Sequence, residues 1–235
     1  MSGIDDVVAL VERQRQEGLH PGAQLYVSLD GEVVCDVAVG EARPGQALEP
    51  GHIMLWYSST KPLTAVAVVQ LLERGVLGLD DLVARYVAGW GAGKERCTIR
   101  HVLTHMGGFA GAETFDDDIT WEEAVARIAA FPASYEPGTW ASYHATSGWK
   151  ILGEIVRVVD GRPIDVYLAE EVMAPAGMSD SWLGVPPADQ QRLGERLVPV
   201  HWTGHMMPVM EDGALSMAPY HVEEIHDRPW HRAKV

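Results

Sequence analysis

Two residues in the first third of the chain have the types and spacing of a nucleophile and its base. Ser58 and Lys61 lie three positions apart, immediately before a long apolar run. Residues three apart on a helix share one face, so the hydroxyl and the amine can meet. A serine hydroxyl attacks well when a base takes its proton, and a lysine can be that base where burial or nearby charge lowers its pKa. The same spacing also suits a serine-capped helix with a surface lysine, so the pair alone leaves both interpretations open.

The apolar run that follows Ser58 and Lys61 predicts a helix over 58–72, which would position the pair. Because the run is apolar on nearly all sides, we expect this helix to be buried in the centre of the domain. Before it, apolar residues at helical spacing predict a first helix over 4–16. Two β-rich runs follow at 23–29 and 32–39, and Asp30-Gly31 between them is a strong hairpin signal.

Beyond the apolar helix the sequence predicts a helical region and then a tail. Helices are expected at 80–87, at 98–105, from Thr120 onward, at 147–159 and at 164–173. Thr120 with Glu123 three positions later is typical of a capping box. From Pro175 onward periodicity fades and prolines interrupt the chain, so we expect an irregular tail over 176–235.

This order of elements predicts an α+β fold, with an antiparallel sheet flanked by helices and a helical lobe beside it. The chain has 235 residues, of which 47% are apolar, enough for the core of one large domain over 1–235. Its predicted parts are an N-terminal helix and hairpin (1–60), a helical lobe holding the candidate site (61–175) and the tail (176–235).

Composition excludes several classes of partner. The formal net charge of −15, from 18 basic and 33 acidic side chains, disfavours nucleic acid and anionic membrane surfaces. Cys35 and Cys97 are the only cysteines, so no disulfide framework is predicted. The N-terminus lacks the basic and apolar regions of a signal peptide, and no stretch approaches the ~20 apolar residues of a membrane span. We therefore predict a cytoplasmic protein acting on a small molecule, with homo-oligomerisation open.

Four segments in order resemble the serine β-lactamase and penicillin-binding-protein superfamily, in particular its class C-like β-lactamase-related hydrolases and esterases. They are Ser-Ser-Thr-Lys-Pro at 58–62, the helix end and acidic turn at 71–81, Thr-Ile-Arg-His-Val-Leu-Thr-His-Met-Gly-Gly at 98–108, and Pro-Gly-Thr-Trp-Ala-Ser-Tyr-His-Ala at 137–145. The likeness covers roughly 4–184. It implies the α/β sandwich of the β-lactamase and transpeptidase type.

The resemblance also implies roles for individual residues. Ser58 would be the acylated nucleophile and Lys61 its base or proton relay, and the backbone N–H of Ser58 would form half of an oxyanion hole. Tyr143 matches the tyrosine that moves a proton between nucleophile and leaving group. Since the ordinary pKa of tyrosine is about 10, it needs a neighbouring ammonium to act as a base near neutrality. The candidate substrate-binding residues are Trp56, Tyr57, Trp140 and His144, although core packing explains the tryptophans equally well.

Two departures from the family pattern affect the expected substrate. The second motif is usually Tyr-x-Asn, but here it is Tyr143-His144-Ala145, and a methyl group cannot bind a substrate amide as an asparagine can. This favours esters over lactams and peptides. In the family, the third motif is Lys-Thr-Gly or His-x-Gly on a late strand. The only similar segment in this sequence is His-Trp-Thr-Gly at 201–204, in a proline-broken region where we predict no β-run. No late strands are predicted either, so the C-terminal part of the sheet is expected to be incomplete.

A metal site is not favoured. His101 and His105 have the i, i+4 spacing of a ligand pair, but residue 102 is valine where a His-Glu-x-x-His motif needs glutamate. No cofactor is predicted.

The sequence thus predicts a serine hydrolase that cleaves a small ester through an acyl-enzyme. The open alternatives are acyl transfer, β-lactam hydrolysis or D-amino-acid peptide cleavage by the same groups, and a non-catalytic binding or scaffolding protein of the same fold.

Overall fold

The computed structural model describes residues 2–112 and 119–199, and beyond them only the backbone of four short strands. The helices of these residues are α1 (Ser2–Gln16), α2 (Lys61–Glu73), α3 (Ile99–Leu103), α4 (Trp121–Ala130), α5 (Ser147–Asp160), α6 (Ile164–Tyr167) and α7 (Pro187–Leu193). The strands are β1 (Gly22–Leu29), β2 (Glu32–Arg43), β3 (Gln46–Ala47), β4 (His201–Gly204), β5 (Val209–Glu211), β6 (Ala214–Ser216) and β7 (His221–Glu224). Short 3-10 turns lie at Tyr57–Thr60, Val83–Arg85 and Gly194–Arg196, and a π-helical turn at Leu168–Met173 continues α6.

These elements form two compact units. The first contains the described residues up to Leu55 and from Pro186 onward, and the second runs from Trp56 to Val185. Helices and antiparallel strands together give the α+β class that the sequence predicts. The boundaries predicted within a single domain stay a prediction. Within the described residues, no helix is both long enough and apolar enough to cross a membrane.

The first unit is built on the predicted hairpin. β1 and β2 pair antiparallel from Leu29 opposite Glu32 to Gly22 opposite Gly40, and β3 adds to the other edge of β2. The connecting residues have φ of 52° at Asp30 and 85° at Gly31, as a two-residue hairpin turn requires. Helix α1 packs on this hairpin.

The tail is more regular than predicted. It contains α7 and two small antiparallel sheets, β4 with β7 and β5 with β6, so the predictions of an irregular tail and of no late strands were wrong. Strands of three or four residues are too short to show an alternating pattern. These late strands pair with one another and not with β1–β3.

Residues just after α7 are held to the hairpin by long-range hydrogen bonds. The guanidinium of Arg43, at the end of β2, donates to the carbonyl oxygens of Glu195 (2.8 Å) and Leu197. The backbone of Ile53 pairs with that of Arg196 and Val198, at N···O distances of 2.7 and 2.9 Å. The two parts of the first unit, far apart in sequence, are therefore joined through backbone groups.

The second unit has an apolar core between α2, α5 and the segments around them. Helix α2 contributes Ala67, Val68 and Leu71, and α5 contributes residues of which Ile151 and Ile155 are fully buried. The prediction that α2 is buried on nearly all sides was wrong. Its core contacts use one face, and on the other face Val66 and Val69 remain 43% and 42% exposed.

A buried lysine that the sequence analysis did not single out ties a loop of this unit to α4. Lys94 is fully buried, and its ammonium donates to the carbonyl oxygens of Gly91 (2.9 Å), Ala129 (3.1 Å) and Phe131. These bonds use all three of its N–H groups. The last two acceptors lie at the C-terminal end of α4, where a cation is favoured by the helix dipole. Burial lowers the pKa of Lys94.

Candidate active site

Ser58 lies in the 3-10 turn Tyr57–Thr60, and Lys61 is the first residue of α2. Side chains three apart nearly eclipse in a 3-10 turn, which brings the two groups together. The Lys61 Nζ donates to Ser58 Oγ at 2.9 Å. The N-cap of α2 is Thr60, without a side-chain cap hydrogen bond, so the serine-capped helix left open by the sequence is not what forms.

Tyr143 completes a triangle around the Ser58 hydroxyl. Its phenol donates to Ser58 Oγ at 2.7 Å, although the two residues are 85 positions apart in sequence. The Lys61 Nζ lies 5.0 Å from the centroid of the Tyr143 ring and 5.7 Å from that of Trp149. Electron-rich ring faces favour an ammonium at such distances, so Lys61 is held by two aromatic faces as well as by Ser58. Ser58 and Tyr143 are both exposed, so a ligand can reach them.

The loop bearing Tyr143 is fixed to the segment that follows α3. It begins at the Pro137-Gly138 turn, where Gly138 has a φ of 88° and its N–H donates to Met106 O at 2.9 Å. A Cβ at position 138 would lie 2.8 Å from His101 Nε2, so the turn needs glycine for both its conformation and its space. Further along, the backbone N–H groups of residues 142 and 144 both donate to His105.

The predicted substrate-binding residues divide into two groups. Trp56, Tyr57 and Trp140 are exposed, at 45%, 50% and 66%. His144 is fully buried, its Nδ1 donates to Ser142 O at 2.7 Å and its Nε2 accepts from Phe109 N at 3.3 Å. Because both ring nitrogens are bonded within the protein, this conformation does not offer His144 to a substrate. We therefore remove it from the set.

Tyr57 has an unusual backbone conformation next to the nucleophile. Its φ is 48°, a region that side chains as large as tyrosine rarely adopt. Desolvation also raises the pKa of its phenol, which keeps it neutral. Strained residues of this kind cluster at functional sites, where surrounding structure holds them in place.

The histidines with metal-ligand spacing have other partners. His101 forms a capping box with Thr98 at the start of α3, in which Thr98 N donates to His101 Nδ1 at 3.3 Å. His105 Nδ1 accepts a hydrogen bond from His144 N at 3.1 Å. Over the described ranges, no group of three or more potential ligands is placed to hold a metal ion.

The lookalike of the third motif is not in an irregular region. Residues 201–204 form β4, which pairs antiparallel with β7 from His201 opposite Glu224 to Gly204 opposite His221. The prediction that no β-run surrounds it was wrong, because its partner strand lies some twenty residues later and leaves no local signal.

The comparison with known families agrees with this arrangement. Residues 7–217 match the family model described as Beta-lactamase. The chain belongs to the beta-lactamase family. The resemblance noted from the four ordered segments is therefore confirmed, and with it the α+β fold class.

Relatives in this family include esterases and penicillin-binding-protein homologues. Esterase/beta-lactamase LipL of Mycobacterium tuberculosis (strain ATCC 25618 / H37Rv) is 34% identical over 187 residues, covering 76% of this chain and 43% of LipL. A penicillin-binding protein homolog from Caulobacter crescentus superimposes with a TM-score of 0.74 at 29% identity, covering 85% of this chain and 54% of that one. A family VIII carboxylesterase gives a TM-score of 0.70 at 28% identity, covering 79% and 53%. The chain thus spans about half the length of these relatives.

Proposed function

We propose that the protein is a serine hydrolase that cleaves a small ester through an acyl-enzyme intermediate. The observation that supports this most strongly is the convergence of two hydrogen bonds on one accessible hydroxyl. Ser58 Oγ accepts from Lys61 Nζ at 2.9 Å and from Tyr143 Oη at 2.7 Å. Both partners are within the range in which a proton can pass directly, as nucleophile activation needs.

The proposed reaction has two halves with the same proton path. Ser58 Oγ bonds to the ester carbonyl carbon while its proton moves to Lys61 Nζ or Tyr143 Oη, whichever of the two enters the step in its deprotonated form, and the proton then goes to the departing alcohol as the ester C–O bond breaks. In the second half water attacks the acyl group on Ser58, its proton takes the same route to Ser58 Oγ, and a carboxylic acid leaves. The backbone N–H of Ser58 would donate to the oxyanion in both halves.

An ester is the substrate class that the site residues favour. Ala145, two positions after Tyr143, has only a methyl group where an asparagine could bind a substrate amide. The exposed rings of Trp56 and Trp140 would contact apolar parts of the substrate. The name of the family VIII carboxylesterase agrees with an ester, and that of LipL includes both esterase and beta-lactamase. Assays with thioester donors, nitrocefin and D-amino-acid peptides would separate the other reactions that the same groups could perform.

Hydrolysis of p-nitrophenyl acetate by wild type, Ser58→Ala and Ser59→Ala proteins tests the proposal. We expect Ser58→Ala to lose on the order of 10⁶ in kcat, the cost of removing a serine nucleophile in well-studied hydrolases. Ser59→Ala is the matched control, because it removes the hydroxyl of the neighbouring serine in the same 3-10 turn, and it should keep its activity.

Intact-mass measurement after treatment with a fluorophosphonate gives an independent readout. The wild-type protein should gain one adduct at Ser58, and Ser58→Ala should gain none. Equal turnover by wild type and Ser58→Ala would overturn the proposed role of Ser58. A folded wild-type protein that neither turns over ester nor takes the label would instead support the non-catalytic binding protein.

A further inference from the structure

His105 holds the Tyr143 loop on both sides of the tyrosine. Its carbonyl oxygen accepts from the backbone N–H of Ser142 at 2.9 Å. Its ring Nδ1 accepts from the backbone N–H of His144 at 3.1 Å. Tyr143 therefore lies between two hydrogen bonds that end on one partner, and both of them restrain its backbone.

The ring of His105 also contacts the groups that surround Lys61. It packs against Tyr143 with ring centroids 4.8 Å apart and against Trp149 at 5.8 Å. Those two rings are the ones that lie over Lys61 Nζ. One imidazole thus touches both aromatic neighbours of the ammonium and fixes the backbone beside the phenol.

The backbone of His105 lies in the left-handed region, with a φ of 61°. Histidine and asparagine both enter this region more readily than most residues other than glycine, so an asparagine could adopt the same backbone conformation. The hydrogen bond from His144 N requires Nδ1 to be unprotonated, so the neutral ring that bonds the loop carries its proton on Nε2.

We propose that His105 is a positioning residue for catalysis, which acts by holding the Tyr143 phenol at hydrogen-bond distance from Ser58 Oγ. This inference rests on the proposed hydrolase function. It assigns His105 no contact with substrate and no proton transfer of its own. Its effect should pass through Tyr143.

A pair of amide substitutions separates this role from general packing. Asparagine at position 105 places its side-chain oxygen near the position of Nδ1, whereas glutamine places it one carbon further out. We expect His105→Gln to lose about 10-fold to 100-fold in kcat, the scale expected for a small misplacement of a reacting group, with little change in KM. His105→Asn should retain most of the kcat. Equal kcat values for the two variants would overturn the proposal.

A double-mutant cycle with Tyr143→Phe tests whether His105 works through the phenol. Tyr143→Phe alone should cost about 10²-fold to 10⁴-fold in kcat, as for loss of a general acid or base. If His105 positions that phenol, His105→Gln should add less than about threefold to the loss in the Tyr143→Phe background, because the two effects are not independent. A full additional 10-fold or greater loss there would show that His105 acts by another route and would refute the inference.

Two spectroscopic measurements do not depend on activity. With 3-fluorotyrosine at position 143, the ¹⁹F resonance should shift in both variants, because each loses the imidazole ring that packs 4.8 Å from the Tyr143 ring. His105→Asn should keep the wild-type line width, whereas His105→Gln should broaden the resonance or split it. Equal line widths for all three proteins would count against positioning even if no ester were hydrolysed. In ¹⁵N-histidine-labelled wild type, which needs no variant to fold, Nδ1 of His105 should be unprotonated, and a protonated Nδ1 would overturn the inference. Failure of the hydrolase proposal is recognised separately, by a wild-type protein that lacks both ester turnover and fluorophosphonate labelling.

Discussion

Ser58 receives hydrogen bonds from two side chains that differ in their access to solvent. Tyr143 is 55% exposed, so its phenol can face both Ser58 and a leaving group above it. Lys61 is only partly exposed, and its ammonium lies against the rings of Tyr143 and Trp149. At the scale of single residues, we therefore expect Tyr143 to exchange protons with the substrate and Lys61 to supply charge behind it.

Ala145→Asn should change which acyl compounds the site accepts. An asparagine there would add an amide group able to bind a substrate amide. We expect the ratio of nitrocefin turnover to p-nitrophenyl acetate turnover to rise about tenfold, the worth of one well-placed hydrogen bond. Ala141→Asn, in the same loop but before Tyr143, is the matched control. A ratio that stays constant in Ala145→Asn would show that position 145 does not select between esters and amides.

The site residues differ in how far the sequence could predict their contacts. The meeting of Ser58 with Lys61 follows from a spacing of three on one helical face. The contact of Tyr143 with Ser58 spans 85 residues, and no spacing rule predicts it; only the ordered segments of a resembling family indicated the residue. From the sequence, His105 belonged to a metal-ligand spacing that was not favoured and to the resembling segment at 98–108, and neither pattern gave it a role beside Tyr143. The backbone φ of His105 and the atom that accepts the His144 N–H are properties of the folded chain and have no sequence signal.

At the scale of elements, Glu154 joins the first turn of α4 to the middle of α5. Its carboxylate accepts from Trp121 Nε1 at 2.8 Å and from Arg157 Nε and Nη2 at 2.8 and 2.7 Å. Burial by itself would raise the pKa of this carboxyl, but the hydrogen bonds from Arg157 and Trp121 outweigh it, and the pKa of Glu154 lies below its ordinary value. The helix pair is therefore stabilised by the charged form.

Glu154→Gln should destabilise the protein by about 2 kcal/mol at neutral pH, because it replaces charged hydrogen bonds by neutral ones. Urea unfolding measures this, with Glu122→Gln, at an exposed position of α4, as the matched control. The folded pKa is depressed, so the contribution of Glu154 is fully present above the unfolded value of about 4.3 and is lost as pH falls through the folded pKa. The stability difference between wild type and Glu154→Gln should accordingly shrink in acid. A difference independent of pH would contradict this account.

Two errors of element prediction have physical causes. The helix over 58–72 was expected to be apolar and buried all round, yet α2 leaves Val66 and Val69 exposed, because an apolar surface in the sequence does not specify how many neighbours will cover it. The late strands escaped prediction because each is three or four residues long and β4 pairs with a strand some twenty residues away. The hairpin and the capped helix α4 were predicted correctly, since their signals are local.

At the scale of the whole molecule, the net charge of −15 should repel anionic substrates over distances that salt controls. We expect kcat/KM for an anionic ester, the mono-p-nitrophenyl ester of succinate, to rise relative to neutral p-nitrophenyl acetate as ionic strength increases. The screening length falls from about 30 Å at 0.01 M salt to about 8 Å at 0.15 M. Charges on a protein surface that act on the substrate at the lower salt concentration are therefore largely screened at the higher one. If kcat/KM for the anionic ester, relative to that for the neutral ester, falls or stays constant as ionic strength increases, positive groups near the site dominate its local electrostatic field.

The fold class and the family were accessible from the sequence because they depend on the order of several local signals, four of which recur in a known superfamily. The division into two compact units could not be predicted from the sequence. It depends on which distant segments meet, such as the backbone of Ile53 with residues after α7.

Ser58, Lys61, His105 and Tyr143 all belong to the same compact unit. The arrangement bears on the design of covalent inhibitors. A covalent inhibitor that contacts only Ser58, Lys61 and Tyr143 would meet a similar reactive centre in any protein with the same three groups, and would have little basis for discriminating between such proteins. A selective inhibitor would have to extend from Ser58 to further side chains around it, such as the exposed rings of Trp56 and Trp140 and the methyl group of Ala145.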